Sequence, residues 1–89
     1  MIDAPTAVRK AKEQAVLMLG QTHTNLEEVE RDSHNDREVW SITLSFPRNL
    51  DQLSPMARVA VDPLQYKRFL IDIETGELVA IKIRELAPR

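Results

Sequence analysis

Residues 66–86 read YKRFLIDIETGELVAIKIREL, two β-rich runs on either side of Glu74-Thr75-Gly76. The spacing predicts a β-hairpin with a three-residue loop and Gly76 at the left-handed position. Counting outward from this loop gives the predicted register, which pairs Ile73 with Glu77, Ile71 with Val79, Phe69 with Ile81, Lys67 with Ile83, Leu70 with Ala80 and Arg68 with Lys82. One face of the hairpin is then aliphatic and aromatic, and a slip by one residue would bury charged side chains.

An amphipathic helix is predicted over residues 4–19. Asp3 is suited to cap it, Pro5 fits its first turn, and Gly20 ends it because glycine adopts the left-handed conformation without steric cost. Apolar residues recur at steps of three and four along one side; they are Ala4, Ala7, Val8, Ala11, Ala15, Met18 and Leu19. The small alanines on this stripe would let the helix lie close to a sheet.

Two strands are predicted to follow the helix. Residues 25–31 form a charged candidate with only Leu26 and Val29 apolar, and Asn35 and Asp36 favour a turn after it. Residues 39–46 alternate, with Trp40, Ile42, Leu44 and Phe46 on one face and Val39, Ser41, Thr43 and Ser45 on the other. This alternation is typical of a half-buried antiparallel strand.

The segment 47–65 breaks these patterns, and long irregular segments in compact domains are usually functional, mobile or contain a short element of secondary structure. Leu50 and Leu53 are spaced to share a helical turn, while residues 58–61 are also compatible with a short edge strand. Together with Met56, these leucines predict either an exposed apolar cluster that binds a partner or a cover for an open end of the core.

These elements predict an α+β fold in which one N-terminal helix packs on a three- or four-stranded antiparallel sheet. Residues 1–89 would form a single domain with a non-regular insertion at about 47–65. The predicted core consists of Trp40, Ile42, Leu44, Phe46, Phe69, Ile71, Ile73, Val79, Ile81 and Ile83 on the sheet, with Val8, Ala11, Ala15 and Leu19 on the helix.

Composition excludes several classes of function. The chain has no cysteine, so disulfides, thiolate metal sites and a thiol nucleophile are excluded. A net charge of −2 with scattered Lys and Arg argues against a general nucleic-acid binder. No apolar run approaches the roughly 20 residues that span a bilayer. Residues 1–9 lack the order of a secretory signal, so we expect a cytoplasmic protein, or an extracytoplasmic one if a signal peptide has been removed.

No catalytic, metal or cofactor site is predicted. His23 and His34 are eleven residues apart, whereas a zinc site needs three or four converging ligands. Ser41 and Ser45 lie on the predicted polar face of a strand, where hydroxyl groups are common without any chemistry. Solvated loop histidines and strand serines are therefore the favoured interpretation.

The charged residues of the predicted sheet suggest a surface rather than an active site. Neighbours among Glu27, Glu28 and Glu30 would alternate between faces, and charges on an edge strand discourage aggregation. Arg68, Lys82 and Arg84, flanked by Tyr66, form a basic column on the face away from the helix. This column is either a docking site for an acidic protein segment or a solvated face. The predicted partner-binding set is Leu50, Leu53, Met56, Tyr66, Arg68, Lys82 and Arg84.

The order of elements and the final hairpin resemble a PepSY domain, a small module of peptidase propeptides and stand-alone bacterial proteins. The resemblance rests on the Ala-rich helix ending at Gly20, a strand-turn-strand through Val29 and Trp40, and residues 69–79, FLIDIETGELV. It implies a binding or inhibitory module without catalysis, often one that acts on a peptidase. It assigns only conformational roles to the Asp and Thr-Gly of the hairpin, Asp72 and Thr75-Gly76.

Three hypotheses about function follow. The leading one is a non-catalytic module that binds, regulates or inhibits a protein partner such as a peptidase. The second is a homodimeric assembly subunit that uses an open sheet edge or the apolar insertion. The third is a small enzyme that uses His23 or His34.

Overall fold

A computed structural model of the protein describes residues 1–48, 54–60 and 63–83. The elements in chain order are α1 (Ala4–Leu19), β1 (Asn25–His34), β2 (Arg37–Pro47), α2 (Pro55–Ala60), β3 (Leu64–Asp72) and β4 (Leu78–Ile83). The four strands form one antiparallel sheet in the order β1-β2-β3-β4. Helix α1 packs on one side, the helix face, and we call the other side the back face. The predicted α+β fold is confirmed, with four strands.

Helix α1 has the predicted bounds and caps. The Asp3 carboxylate accepts a hydrogen bond from the Thr6 amide at 3.0 Å, and Gly20 has φ of 68°. Three alanines one turn apart, Ala7, Ala11 and Ala15, are fully buried. Small side chains at these positions bring the helix backbone close to the sheet, as the sequence predicts.

The hairpin of β1 and β2 is longer than predicted. β1 continues to His34, and the turn consists of Asn35 and Asp36, with φ of 51° and 66°. Two consecutive residues with positive φ define a type I′ turn, whose twist matches that of the flanking strands. A bulge between Leu26 and Glu28 shifts the register once, and Val29 then pairs with Ile42.

The hairpin of β3 and β4 follows the predicted register at its open end. Four predicted pairs are confirmed, namely Lys67 with Ile83, Arg68 with Lys82, Phe69 with Ile81, and Leu70 with Ala80. The predicted pair of Ile71 and Val79 is wrong, because a bulge places Leu78 opposite Ile71.

The loop of this hairpin also starts earlier than predicted. Ile73 does not pair with Glu77; its amide donates to the Glu38 carbonyl of β2 at 3.2 Å. The amides of Asp72 and Gly76 close the turn instead, donating to the carbonyls of Glu77 and Asp72 at 2.8 Å each. Gly76 has the predicted positive φ, at 77°.

The core lies on the helix face of the two inner strands. Of the predicted sheet residues, Ile42, Leu44, Phe46, Phe69, Ile71 and Ile73 are buried, while Trp40, Val79 and Ile81 are half-buried. The prediction for Ile83 is wrong, since 70 % of this edge-strand residue is exposed.

Strand β2 is buried on its back face as well, so the prediction of a half-buried strand is wrong. Val39, Ser41, Thr43 and Ser45 are each at most 2 % exposed. Longer side chains of the flanking strands shield these small ones: Thr43 pairs with Arg68, and the Ser45 hydroxyl donates to the Glu27 carboxylate at 2.6 Å.

The segment predicted to be irregular contains α2. The Ser54 hydroxyl caps it by accepting from the Ala57 amide at 3.2 Å. Residues 58–60 are helical, so the alternative of an edge strand there is wrong. Within the ranges described, no helix combines the length and apolar character needed to cross a membrane.

Candidate functional site

The predicted basic column is assembled on the back face as far as the structure describes it. Tyr66 and Arg68 lie on β3 and are half-buried, and Lys82 on β4 is exposed. Arg68 and Lys82 are cross-strand neighbours. Arg84, like Leu50 and Leu53, lies outside the described residues.

Met56 lies on α2 and 84 % of it is exposed. Val59, one helical turn further on, is 87 % exposed. Met56 therefore does not cover the core, and of the two alternatives for this side chain the exposed one is observed.

A larger group of exposed apolar residues, outside the predicted partner-binding set, lies at the end of α1. One of them, Met18, was predicted to lie on the stripe that faces the sheet, and that prediction is wrong. Leu17 is 74 % exposed, Met18 62 % and Val16 44 %. A signal was present in residues 15–19, AVLML, because five consecutive apolar residues cannot all lie on the single stripe of a helix that faces a sheet.

The neighbouring strand continues this apolar character. Leu26 and Val29 lie on the helix face of β1, opposite Leu44 and Ile42, and are 45 % and 36 % exposed because α1 lies mainly over β2 and β3. Val16 and Asn25 line one cleft, so the end of α1 and the start of β1 are adjacent. We call Leu17, Met18, Leu26 and Val29 the α1–β1 apolar surface.

The back face of β1 is acidic. Glu28, Glu30 and Asp32 are the partners of Thr43, Ser41 and Val39, and Glu27 joins them through its hydrogen bond to Ser45.

The only arginine of β1 is held on the helix face, away from these acids. The Arg31 guanidinium stacks over the Trp40 ring, 5.5 Å from its centroid, and binds the Glu38 carboxylate at 3.1 Å. Arg31 therefore lies on the opposite face of β1 from Glu30 and Asp32.

The two histidines lie far apart. His23 lines an open cleft of about 380 Å³ with Lys12, Thr22 and Thr24, and no carboxylate is among the described residues of its wall. His34 ends β1, about 30 Å away at the rise of an extended strand. Its Nε2 lies 3.4 Å from the side-chain Nδ2 of Asn35. Among the residues that the structure describes, no three His, Asp or Glu side chains cluster as metal ligands would.

The Asp72 carboxylate has three polar partners, and they give it a structural role. Its Oδ1 accepts from the amides of Thr75 and Glu74 at 3.0 and 2.7 Å, and its Oδ2 pairs with Arg37 at 3.3 Å. These amide hydrogen bonds, from Thr75 first and then Glu74, and the charge of Arg37 lower the pKa of Asp72. Thr75 completes the turn by accepting from the Glu77 amide at 3.2 Å. The conformational role predicted for the hairpin motif agrees with this geometry.

Comparisons with family models, with curated proteins and with solved structures found no match. The PepSY resemblance therefore stays a prediction that rests on the residues quoted for it.

Proposed function

We propose that this protein is a non-catalytic protein-binding module. The observation that carries the proposal is the α1–β1 apolar surface, half of which belongs to the ten-residue edge strand β1. Exposed apolar groups on adjacent elements are more typical of interaction sites than single ones scattered over a surface.

A partner protein that covers the α1–β1 apolar surface would gain affinity for this chain. A partner that buries Leu17 and Met18 removes most of two large side chains from water, which is worth roughly 3 kcal/mol before the costs of association. This is enough to favour one partner over many, but a stable complex needs further contacts. Regulation of a peptidase is the specific form of this proposal that the PepSY resemblance favours.

A homodimeric subunit is the second candidate. Ile83 supports it, because this residue is exposed on the edge strand β4 and is the kind of side chain that a second sheet would cover. Light scattering over a range of concentrations separates this candidate from the first, since only self-association raises the mass with concentration.

The proposal is tested by affinity capture from extracts of the source cells with the tagged full chain. We expect the double variant Leu17→Ser, Met18→Ser to lose at least nine-tenths of the captured partner. Met56→Ser, Val59→Ser is the matched control, because it removes two equally exposed apolar residues from α2. Circular dichroism of both variants checks that the fold is retained.

Two other outcomes of the capture experiment would contradict this assignment. Loss of capture only in the α2 variant would move the binding site to the segment first singled out in the sequence. Retention in both variants would contradict a role for exposed apolar residues altogether.

A further inference from the structure

We propose that the outer edge of β1 accepts an extended segment of a partner protein as a fifth strand, and that this segment carries basic residues at alternate positions. The inference rests on the proposed binding function and specifies the chemistry of the partner. It follows from three properties of β1: an outer edge with which none of the described strands pairs, two chemically different faces, and a poor match to its own copy.

β1 lies at the end of the sheet, and among the described residues no strand pairs with its outer side. Its ten residues exceed the usual strand length of about five to six, and all but His34 are exposed. The outward amides and carbonyls of such an edge are an available template for strand addition. The bulge near Leu26 leaves residues 28–34 in one uninterrupted register.

The two faces of β1 dictate what the added strand must carry. Side chains of neighbouring strands lie beside each other on the same face and alternate along each strand. Residues of the added strand on the helix face would lie against Val29, Arg31 and Ser33, and beyond the bulge against Leu26. Those on the back face would lie about 5 Å from the column of Glu30 and Asp32. The complementary segment is therefore basic at every second position, on the back face, and apolar on the helix face where it meets Val29.

A second copy of this chain fits the edge less well. Antiparallel pairing of β1 with another β1 sets acidic residues beside acidic residues, because both copies then present the same face. Parallel pairing through the same edge turns one copy over and sets its acidic residues on the face that carries Leu26 and Val29. β4 has the right chemistry at Ile81-Lys82-Ile83, but a contact of β1 with the partner copy's β4 is head-to-tail and does not close into a dimer. A different protein is thus the favoured occupant.

The test uses a capped hexapeptide, VKIKVK, with VEIEVE as its charge-reversed counterpart and light scattering to confirm that each peptide is monomeric. Amide hydrogen exchange of the full chain is followed by NMR during titration. We expect VKIKVK to slow exchange at least tenfold at alternate amides of residues 28–34, and VEIEVE to leave them unchanged. Protection in this alternating pattern distinguishes strand pairing from electrostatic adsorption.

Protein variants provide the second arm. The double variant Glu30→Lys, Asp32→Lys should weaken binding of VKIKVK at least tenfold and should bind VEIEVE, which the unmodified chain does not. Glu13→Lys is the control, because it reverses an exposed charge on α1 and should change either affinity less than twofold. Binding of VEIEVE to the double variant also shows that this variant is folded.

Three results would overturn the inference. These are absence of protection in β1 at millimolar peptide, equal protection by both peptides, and a free chain that grows in mass with concentration while its β1 amides are already protected. If capture of a partner still depends on Leu17 and Met18 while β1 stays unprotected, this inference fails and the proposed function stands.

Discussion

Two hydroxyl groups on the back face of β2 are buried to the same extent but are satisfied differently. The Ser45 hydroxyl donates to Glu27 at 2.6 Å, whereas the Thr43 hydroxyl has no partner among the described residues. A buried polar atom without a hydrogen bond costs stability, and an apolar isostere removes that cost. We therefore expect Thr43→Val to stabilise the fold by about 0.5 to 1 kcal/mol.

Ser45→Ala is the matched contrast on the same strand, and it should destabilise by about 1 kcal/mol because it removes a hydrogen bond to a charged group. Urea unfolding of both variants measures the two changes. A loss of stability in Thr43→Val would show that its hydroxyl is satisfied, most simply by water.

At the residue scale, the sequence predicts what depends on local chemistry. Asp3, Gly20 and Gly76 take the predicted roles because a cap or a left-handed turn depends on one residue and its immediate neighbours. The bulge before Ile71 was not predictable in this way. The Asp72 carboxylate binds the Glu74 amide and the Glu38 carbonyl binds the Ile73 amide, so the turn begins one residue earlier than predicted.

Among the elements, α1 depends most on the size of its side chains. Ala7, Ala11 and Ala15 have no exposed surface, so the space between helix and sheet is filled. Ala11→Leu adds three carbons at the centre of this contact, and we expect it to destabilise by about 1 to 3 kcal/mol through overpacking.

Glu13→Leu introduces the same residue on the exposed side of the same helix and should change stability by less than about 0.5 kcal/mol. Thermal unfolding followed by circular dichroism measures both. Equal stability of Ala11→Leu and the unmodified chain would mean that the helix can move away from the sheet without cost, contrary to close packing.

The predictability of elements follows from where their determinants lie. The bounds of α1 are set by Asp3 and Gly20, which flank the helix directly, so the sequence alone locates it. The burial of Ser41 and Thr43 depends on Arg68 and other long side chains of neighbouring strands, which alternation along one strand does not reveal. For the same reason the exposure of Leu26 and Val29 could not be anticipated, because it depends on which strands the helix covers.

On the scale of the whole molecule, several parts of the chain converge at the end where α1 begins. The Ile2 amide donates to the Ile73 carbonyl at 2.8 Å, and the Trp40 indole donates to the Ile2 carbonyl at 3.0 Å. Asp3 and Asp72 lie at this same end, one capping the helix and the other holding the β3–β4 turn against Arg37. Hydrogen bonds from Thr6 lower the pKa of Asp3 as those from Thr75 and Glu74 lower that of Asp72.

We therefore expect this end of the molecule to lose stability first as the pH falls. A carboxyl whose folded-state pKa is depressed stabilises the fold above its unfolded pKa of about 3.9, and this stability is lost as pH falls through the folded-state pKa. We expect Asp72→Asn to melt below the unmodified chain at neutral pH, because a neutral amide accepts the Thr75 and Glu74 hydrogen bonds more weakly and loses the ion pair with Arg37. The two melting temperatures should converge below about pH 4. Asp36→Asn makes the same charge change in the exposed β1–β2 turn and is the control. A gap between the unmodified chain and Asp72→Asn that keeps its size in acid would show that the Asp72 charge does not stabilise the hairpin.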